Sequence, residues 1–329
     1  MYVEKKKINK KEYYYLKISM REGDTIKTKT IAYLGKEPMT KEEIKKKILE
    51  IPKSKIESAK KSLKDDFKKN LKQVNMEFLN NKQFEEIKKI KKDFNTKLKI
   101  LDKQLLDDMF KDYKTDYVYN TNAIEGNTLT LSETNLLLNE NISPKGKYLK
   151  EIYDHINEKE TFDYLLKNKP EINMKLIIKI HSMLLKNIDK RVGKFREHNV
   201  RVFGASFKTS EAKYVSIDMK IILKWYKDNK KKLHPLILTS IFHEKFEKIH
   251  PFYDGNGRTG RMLINLILLK NKLPPLIIKN SSRKKYYDVL SKGHKADLTK
   301  TESKFYKDIV SFCYKQFLDT YEHIFSKWG

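Results

Sequence analysis

One short stretch limits the folds open to this chain more than any other. Gly255-Asn256-Gly257 leads within five residues into Met262, Leu263, Ile264, Leu266, Ile267, Leu268 and Leu269, and an amphipathic segment precedes it. An apolar run entered from a glycine turn reads as a helix packed among others, with its first N–H groups free at the turn. Free N–H groups at a helix start favour an anion. From His250 to Arg261 the order is His-Pro-Phe-Tyr-Asp-Gly-Asn-Gly-Arg-Thr-Gly-Arg. A plain turn between core helices would not need a proton acceptor, a carboxylate and two guanidinium groups so close together.

The run resembles the signature of the Fic family, His-x-Phe-x-(Asp/Glu)-Gly-Asn-Gly-Arg-x-x-Arg, with every fixed position matched. The resemblance implies a mainly α protein, a Fic-type helical bundle with a β-hairpin flap. It also implies transfer of AMP from ATP to a protein hydroxyl, with Mg²⁺. That chemistry needs a base as the hydroxyl attacks the α-phosphorus, and neutralisation of the phosphate charge. His250 can take the proton. Asp254 can hold Mg²⁺ with phosphates and waters completing its shell. Gly255, Asn256 and Gly257 let the backbone approach phosphate. Arg258 and Arg261, one turn apart, can both face it. Phe252 reads as a core anchor. In a chain where lysine is the default cation, the few arginines mostly fall between Arg191 and Arg283, which suggests planar bidentate contacts there.

Far upstream, Asn120-Thr121-Asn122-Ala123-Ile124-Glu125-Gly126-Asn127 resembles the (Ser/Thr)-x-x-x-Glu-(Gly/Asn) signature of Fic proteins that carry an inhibitory helix. Thr121 and Glu125 share a helix face, Gly126 suits a helix end, and Thr130 with Glu133 forms a capping box for the next helix. The resemblance implies that Glu125 pairs with Arg261 and blocks the γ-phosphate seat. A helix-end glutamate facing water is the alternative. A third element is Arg191 to Ile217. Phe195, Val200, Val202, Phe203 and Phe207, a turn at Gly204, then Tyr214, Val215 and Ile217 read as short strands. In the family this stretch is the flap that docks the target segment as an added strand.

Three regions separate along the 329 residues. Residues 1–36 carry a small β-hairpin, with strands Glu12 to Met20 and Thr25 to Leu34. Residues 37–114 are a lysine-rich helical extension, with Phe67, Leu71, Val74 and Phe78 in one helical series and Phe84, Ile87, Ile90 and Phe94 in the next. Residues 115–329 form the catalytic domain, with the inhibitory motif at 121–126. Expected helices there are Ser132 to Leu138, Tyr148 to Leu166, Asn173 to Leu185, Asp218 to Asn229, Pro235 to Ile249, the motif helix to about Lys270, Tyr286 to Leu290 and Phe305 to Phe317. His243 has no metal-ligand partner at suitable spacing and reads as structural or surface.

The formal charge of +28 is mainly lysine spread over the whole length, which predicts salt-sensitive polyanion binding but no specific nucleic-acid function. The single cysteine, Cys313, excludes an internal disulfide and reads as core. With no secretory signal and no apolar run long enough to span a bilayer, a cytoplasmic enzyme is the expectation. Alternatives stay open: removal of AMP, transfer of another nucleotide, phosphotransfer as in Doc kinases (whose motif has lysine where this chain has Gly257), or a non-catalytic nucleotide sensor. Self-modification at Tyr13-Tyr14-Tyr15 or near the flap, and self-association, are open too.

Overall fold

The structure, a computed structural model, describes residues 1–22, 25–36, 38–200 and 209–328. They divide into two compact units, Met1–Val74 and Asn75–Gly329, so the expected 37–114 extension falls on both sides of the division.

The first unit begins with an antiparallel sheet of three strands in the order β1 (Tyr2–Ile8), β2 (Lys11–Glu22), β3 (Thr25–Lys36). The two-strand expectation missed β1. Its lysine-rich composition hides a strand, and its turn to β2 is Asn9-Lys10, both at positive φ (48° and 63°). That is the geometry a two-residue hairpin turn requires, without the glycine that usually signals it. Alternation in β2 sends Tyr14, Leu16 and Ile18 inward. They meet Ile31 and Leu34 of β3 and Ala59 and Leu63 of α2 (Lys53–Met76), under a flank supplied by α1 (Lys41–Leu49). Thr40 and Glu43 cap α1 reciprocally. The series through Val74 and Phe78 does not continue as one helix, because α2 ends at Met76. Val74 is exposed, and Phe78 enters the core of the second unit from the following turn.

The second unit is helical: α3 (Asn81–Ile100), α4 (Lys103–Ile124), α5 (Leu131–Asn139), α6 (Leu149–Asn168), α7 (Met174–Leu184), α8 (Val215–Asn229), α9 (Pro235–Ile249), α10 (Asn256–Lys270), α11 (Arg283–Gly293) and α12 (Ser303–His323). At its centre α10 packs against α9, α7, α6 and α4, and every residue from Arg258 to Leu269 is buried. That is the all-round burial expected from its sequence. Proline opens α9. The chain leaves α10 through Lys272 at φ 60° before the two prolines. Cys313 is fully buried, with its thiol pushed up to about 12 by burial.

One expected strand is helix instead. Ala212–Tyr214 is a 3-10 turn that runs directly into α8. Val215, Met219, Ile222 and Tyr226 recur at helical spacing and are buried, so packing overrides the β-branched composition of Val215 and Ile217. The flap residues Val202, Phe203, Gly204 and Phe207 lie outside the described residues. Among the described residues no helix is long and apolar enough to cross a membrane.

Candidate active site

The site is the junction of α9 and α10. His250 closes α9 in the left-handed conformation (φ 52°), with its N–H donating to the Phe246 carbonyl at 2.9 Å. The chain reverses through Pro251 to Gly255, and Gly255 (φ 73°) opens α10. Asn256 ties the reversal together. Its Oδ1 accepts from the Phe252 N–H at 2.8 Å and its Nδ2 donates to the Phe252 carbonyl at 2.9 Å. Phe252 is fully buried, stacked on His181 with centroids 3.7 Å apart and close to Phe195. His181 accepts at Nδ1 from the Gly193 N–H (3.0 Å), which leaves Nε2 to donate to the Asp254 carbonyl (3.1 Å). Asn256→Ala removes both bonds to Phe252 inside a buried loop. It is expected to lower stability by about 1–3 kcal/mol, read as a lower denaturation midpoint.

Two arginines line the start of α10, each held by an acid from another helix. Arg258 pairs with Asp154 of α6 and lies 3.8 Å from the Asp254 carboxylate. Arg261 donates from Nε to the Thr121 hydroxyl at 2.6 Å, and from Nη2 to the Thr121 carbonyl at 3.0 Å and to Glu125 Oε1 at 2.7 Å. Thr121 and Glu125 come from the last turn of α4. The Glu125 carboxylate lies against the glycine turn itself, since a Cβ added at Gly257 would fall 2.3 Å from its Oε1. Gly126, at φ 95°, ends the helix behind it.

Asp254 is half-exposed, with Lys150 at 3.7 Å. Burial raises its pKa, but Arg258, the Gly255 N–H and Lys150 outweigh that and hold it below the ordinary value. His250 is pushed down to about 4 by burial, with Arg196 adding to that and Glu125 opposing it. Its Nδ1 lies 3.8 Å from Glu247. Glu247 and Glu158, both deeply buried, are pushed up to about 8 by burial.

Sequence reading gave no role to several residues that build this site. Arg196, nearly fully buried, donates to the carbonyls of His250 (2.7 Å), His198 (3.0 Å), Ile249 (3.2 Å) and Ser210. It therefore ties residues on both sides of 201–208 to the end of α9. Its signal was its membership of the arginine cluster. Asp154, Glu158 and His181 sit at internal helix positions with no local motif to mark them. His243, beside the site, is buried and structural, bonded through Nε2 to the Tyr286 hydroxyl at 2.6 Å.

These buried groups predict how stability depends on pH. His155, His181, His234 and His250 are lowered by burial to about 4, and His243 to about 3. Between pH 6.5 and 4 the unfolded chain binds protons that these folded histidines do not, so stability falls as pH falls through that window. For one such histidine the effect is on the order of 3 kcal/mol. Glu158 and Glu247 act in the opposite sense, holding protons that the unfolded chain releases above its carboxyl range. The denaturation midpoint is expected to drop steeply from pH 6.5 to 4; a flat profile would mean these imidazoles are not buried.

Residues 171–268 match the model of the Fic/DOC family. Over this stretch, which runs from α7 into α10 and does not reach α4, the chain is similar to that family. A protein adenylyltransferase fic-1 of Caenorhabditis elegans is 34% identical over 189 residues, 55% of this chain and 37% of that protein. The chain thus spans well under half of that relative's length. The solved Fic-1 fragment from C. elegans superposes with a TM-score of 0.62 at 28% identity, covering 75% of this chain and 73% of that one. A Fic-domain-containing signaling protein from Bacteroides thetaiotaomicron shares the fold, with a TM-score of 0.65 at 22% identity, covering 71% of this chain and 94% of that one.

Proposed function

We propose that this chain transfers AMP from ATP to a Ser, Thr or Tyr hydroxyl of a protein, and that Glu125 keeps the site off at rest. The observation that supports this most is the seat of the Glu125 carboxylate between Arg261 and Gly257. An anion already sits where the helix start and a fixed guanidinium favour one, and a phosphate of ATP competes for that place.

The step follows from the residues present. The hydroxyl oxygen bonds to the α-phosphorus, the bond from that phosphorus to its bridging oxygen breaks, and pyrophosphate leaves. The hydroxyl proton passes to His250, which burial keeps neutral and ready to accept it. Arg258 and Arg261 are held in place by Asp154 and Thr121, so they stabilise developing phosphate charge without having to reorganise. Asp254 is an ionised, half-exposed oxygen donor, and no cluster of three or more His, Cys, Asp or Glu among the described residues could bind a metal alone. That donor set fits a Mg²⁺ whose remaining ligands are phosphate oxygens and water. When bound, the ion would neutralise phosphate charge. A target segment docks, in this proposal, at the flap whose two ends Arg196 ties beside His250. A cytoplasmic site of action agrees with a sole cysteine that is buried and free.

The test is retention of label on protein from ATP labelled at the α- or the γ-phosphate, compared among the wild-type, Glu125→Gly and His250→Ala chains. The proposal expects α-label. Transfer of γ-label alone would make the enzyme a kinase, and transfer of neither would mean another nucleotide donor, a missing target protein or a binding role.

A further inference from the structure

The solvent face of the N-terminal sheet carries an arrangement that AMP transfer does not use. Tyr15 and Tyr33 are directly paired across β2 and β3, with ring centroids 5.4 Å apart, and Tyr13 lies on the other side of Tyr33 at 6.5 Å. Tyr33 is 53% exposed. Tyr14, between Tyr13 and Tyr15, points the other way into the core and donates to Glu12 at 3.0 Å. The pleat therefore places three adjacent rings on the outer face, Tyr33 exposed and Tyr13 and Tyr15 partly so.

The surroundings of the rings are cationic and hydroxylic. Lys6 and Lys36 pair across from Tyr13 on its two sides, Lys10 and Lys11 lie in and after the adjoining turn, and Lys17 follows Tyr15 on the same face. Glu4 is the one acid on this face of β1; it pairs with Lys17 at 2.8 Å and lies 3.7 Å from Lys6, so it offsets one of these charges. Beyond the rings, Ser19 opposite Thr28, and Thr30 opposite Lys17, are exposed. Buried charges or a hydrophobic partner would call for a different face, one apolar at its centre and without a lysine rim. Rings that can stack on bases, with lysines on the neighbouring strand positions, match a single nucleic-acid strand. The row of hydroxyls adds donors and acceptors suited to a ribose 2′-OH.

We propose that the Tyr13–Tyr15–Tyr33 face is a docking surface for single-stranded RNA, bound with little sequence preference. Stacking supplies selectivity for unpaired bases, and the lysines supply salt-sensitive attraction.

The experiment is a fluorescence-anisotropy titration of the full chain with labelled oligouridylate, competed with duplex RNA, heparin and oligothymidylate. Tyr33→Ala is expected to weaken oligouridylate binding roughly tenfold without changing its salt dependence, and Tyr33→Phe to stay within about twofold of wild type. The Phe variant keeps the ring, so a loss seen only with alanine separates stacking from misfolding. Unchanged binding by Tyr33→Ala, or competition by duplex RNA or heparin as effective as by oligouridylate itself, would overturn the proposal and leave only diffuse charge. Equal affinity for oligothymidylate would overturn the assignment to RNA.

Discussion

Glu125→Gly raises transfer of label from α-labelled ATP about 10–100-fold over the wild-type chain, the range of a typical coupling between two sites. The reason is competition for one place. The carboxylate is 2.7 Å from Arg261 and lies over Gly257; under the proposed function, ATP reaches its productive seat only in the fraction of molecules where Glu125 has withdrawn. The same substitution should lower thermal stability, because Arg261 is fully buried and loses one charge-assisted bond, worth about 1.5–3 kcal/mol. Arg261 keeps its two bonds to Thr121, which limits the loss. Glycine suits this helix end, and Gly126 follows it without needing Glu125 for its own conformation. Faster transfer from a less stable protein is the combination that marks an inhibitory contact, since a merely structural glutamate would lower both. Glu125→Gln, which can accept from Arg261 but carries no charge, should lie between the two. A variant that transfers no faster than wild type would leave Glu125 as an ordinary helix-end acid.

How much of this arrangement can be read from residues alone depends on how local its causes are. The His250–Arg261 run builds its own loop, with glycine at the positive φ of Gly255 and Asn256 bonded to Phe252 within the same turn. These bonds are local, so the turn itself follows from composition and spacing, whereas His181 on the Asp254 carbonyl and Arg196 on the His250 carbonyl brace it from more than fifty residues away. Helix starts are similarly local, and the capping boxes at Thr40 and Thr130 mark two of them. The supports of the two arginines are of another kind. Asp154 reaches Arg258 across 104 residues and Thr121 reaches Arg261 across 140. A motif pointed to Thr121, but nothing about Asp154 on α6 distinguishes it from a solvated helix acid. Two readings went astray through opposite errors. Lysines concealed β1, whose register is set by pairing with β2 and not by its own propensity. Val215 and Ile217 suggested a strand where burial of Val215, Met219 and Ile222 against the core demands a helix.

In the Glu125→Gly background, loss of the His250 imidazole should reduce AMP transfer by about 100–10,000-fold, the usual worth of a positioned general base. The change must spare the backbone. His250 sits at φ 52°, and its carbonyl accepts from Arg196 at 2.7 Å, so a residue that tolerates the left-handed region is the better test than alanine. His250→Asn meets that need and removes the base. ATP affinity should stay close to that of the parent, because Arg258, Arg261 and the α10 start do not touch the imidazole in any bond described above. Loss of transfer with ATP binding retained places His250 in the chemical step, whereas loss of both would make it part of the binding site. The pH dependence adds a separate constraint. A base works only when neutral, so activity is present above its pKa and lost as pH falls through it. Burial holds His250 far below a free imidazole, and removing Glu125 takes away the charge that opposed this. The acid limb of the Glu125→Gly enzyme should therefore lie below pH 6.5, and an acid limb at or above that value would mean that another group is the base.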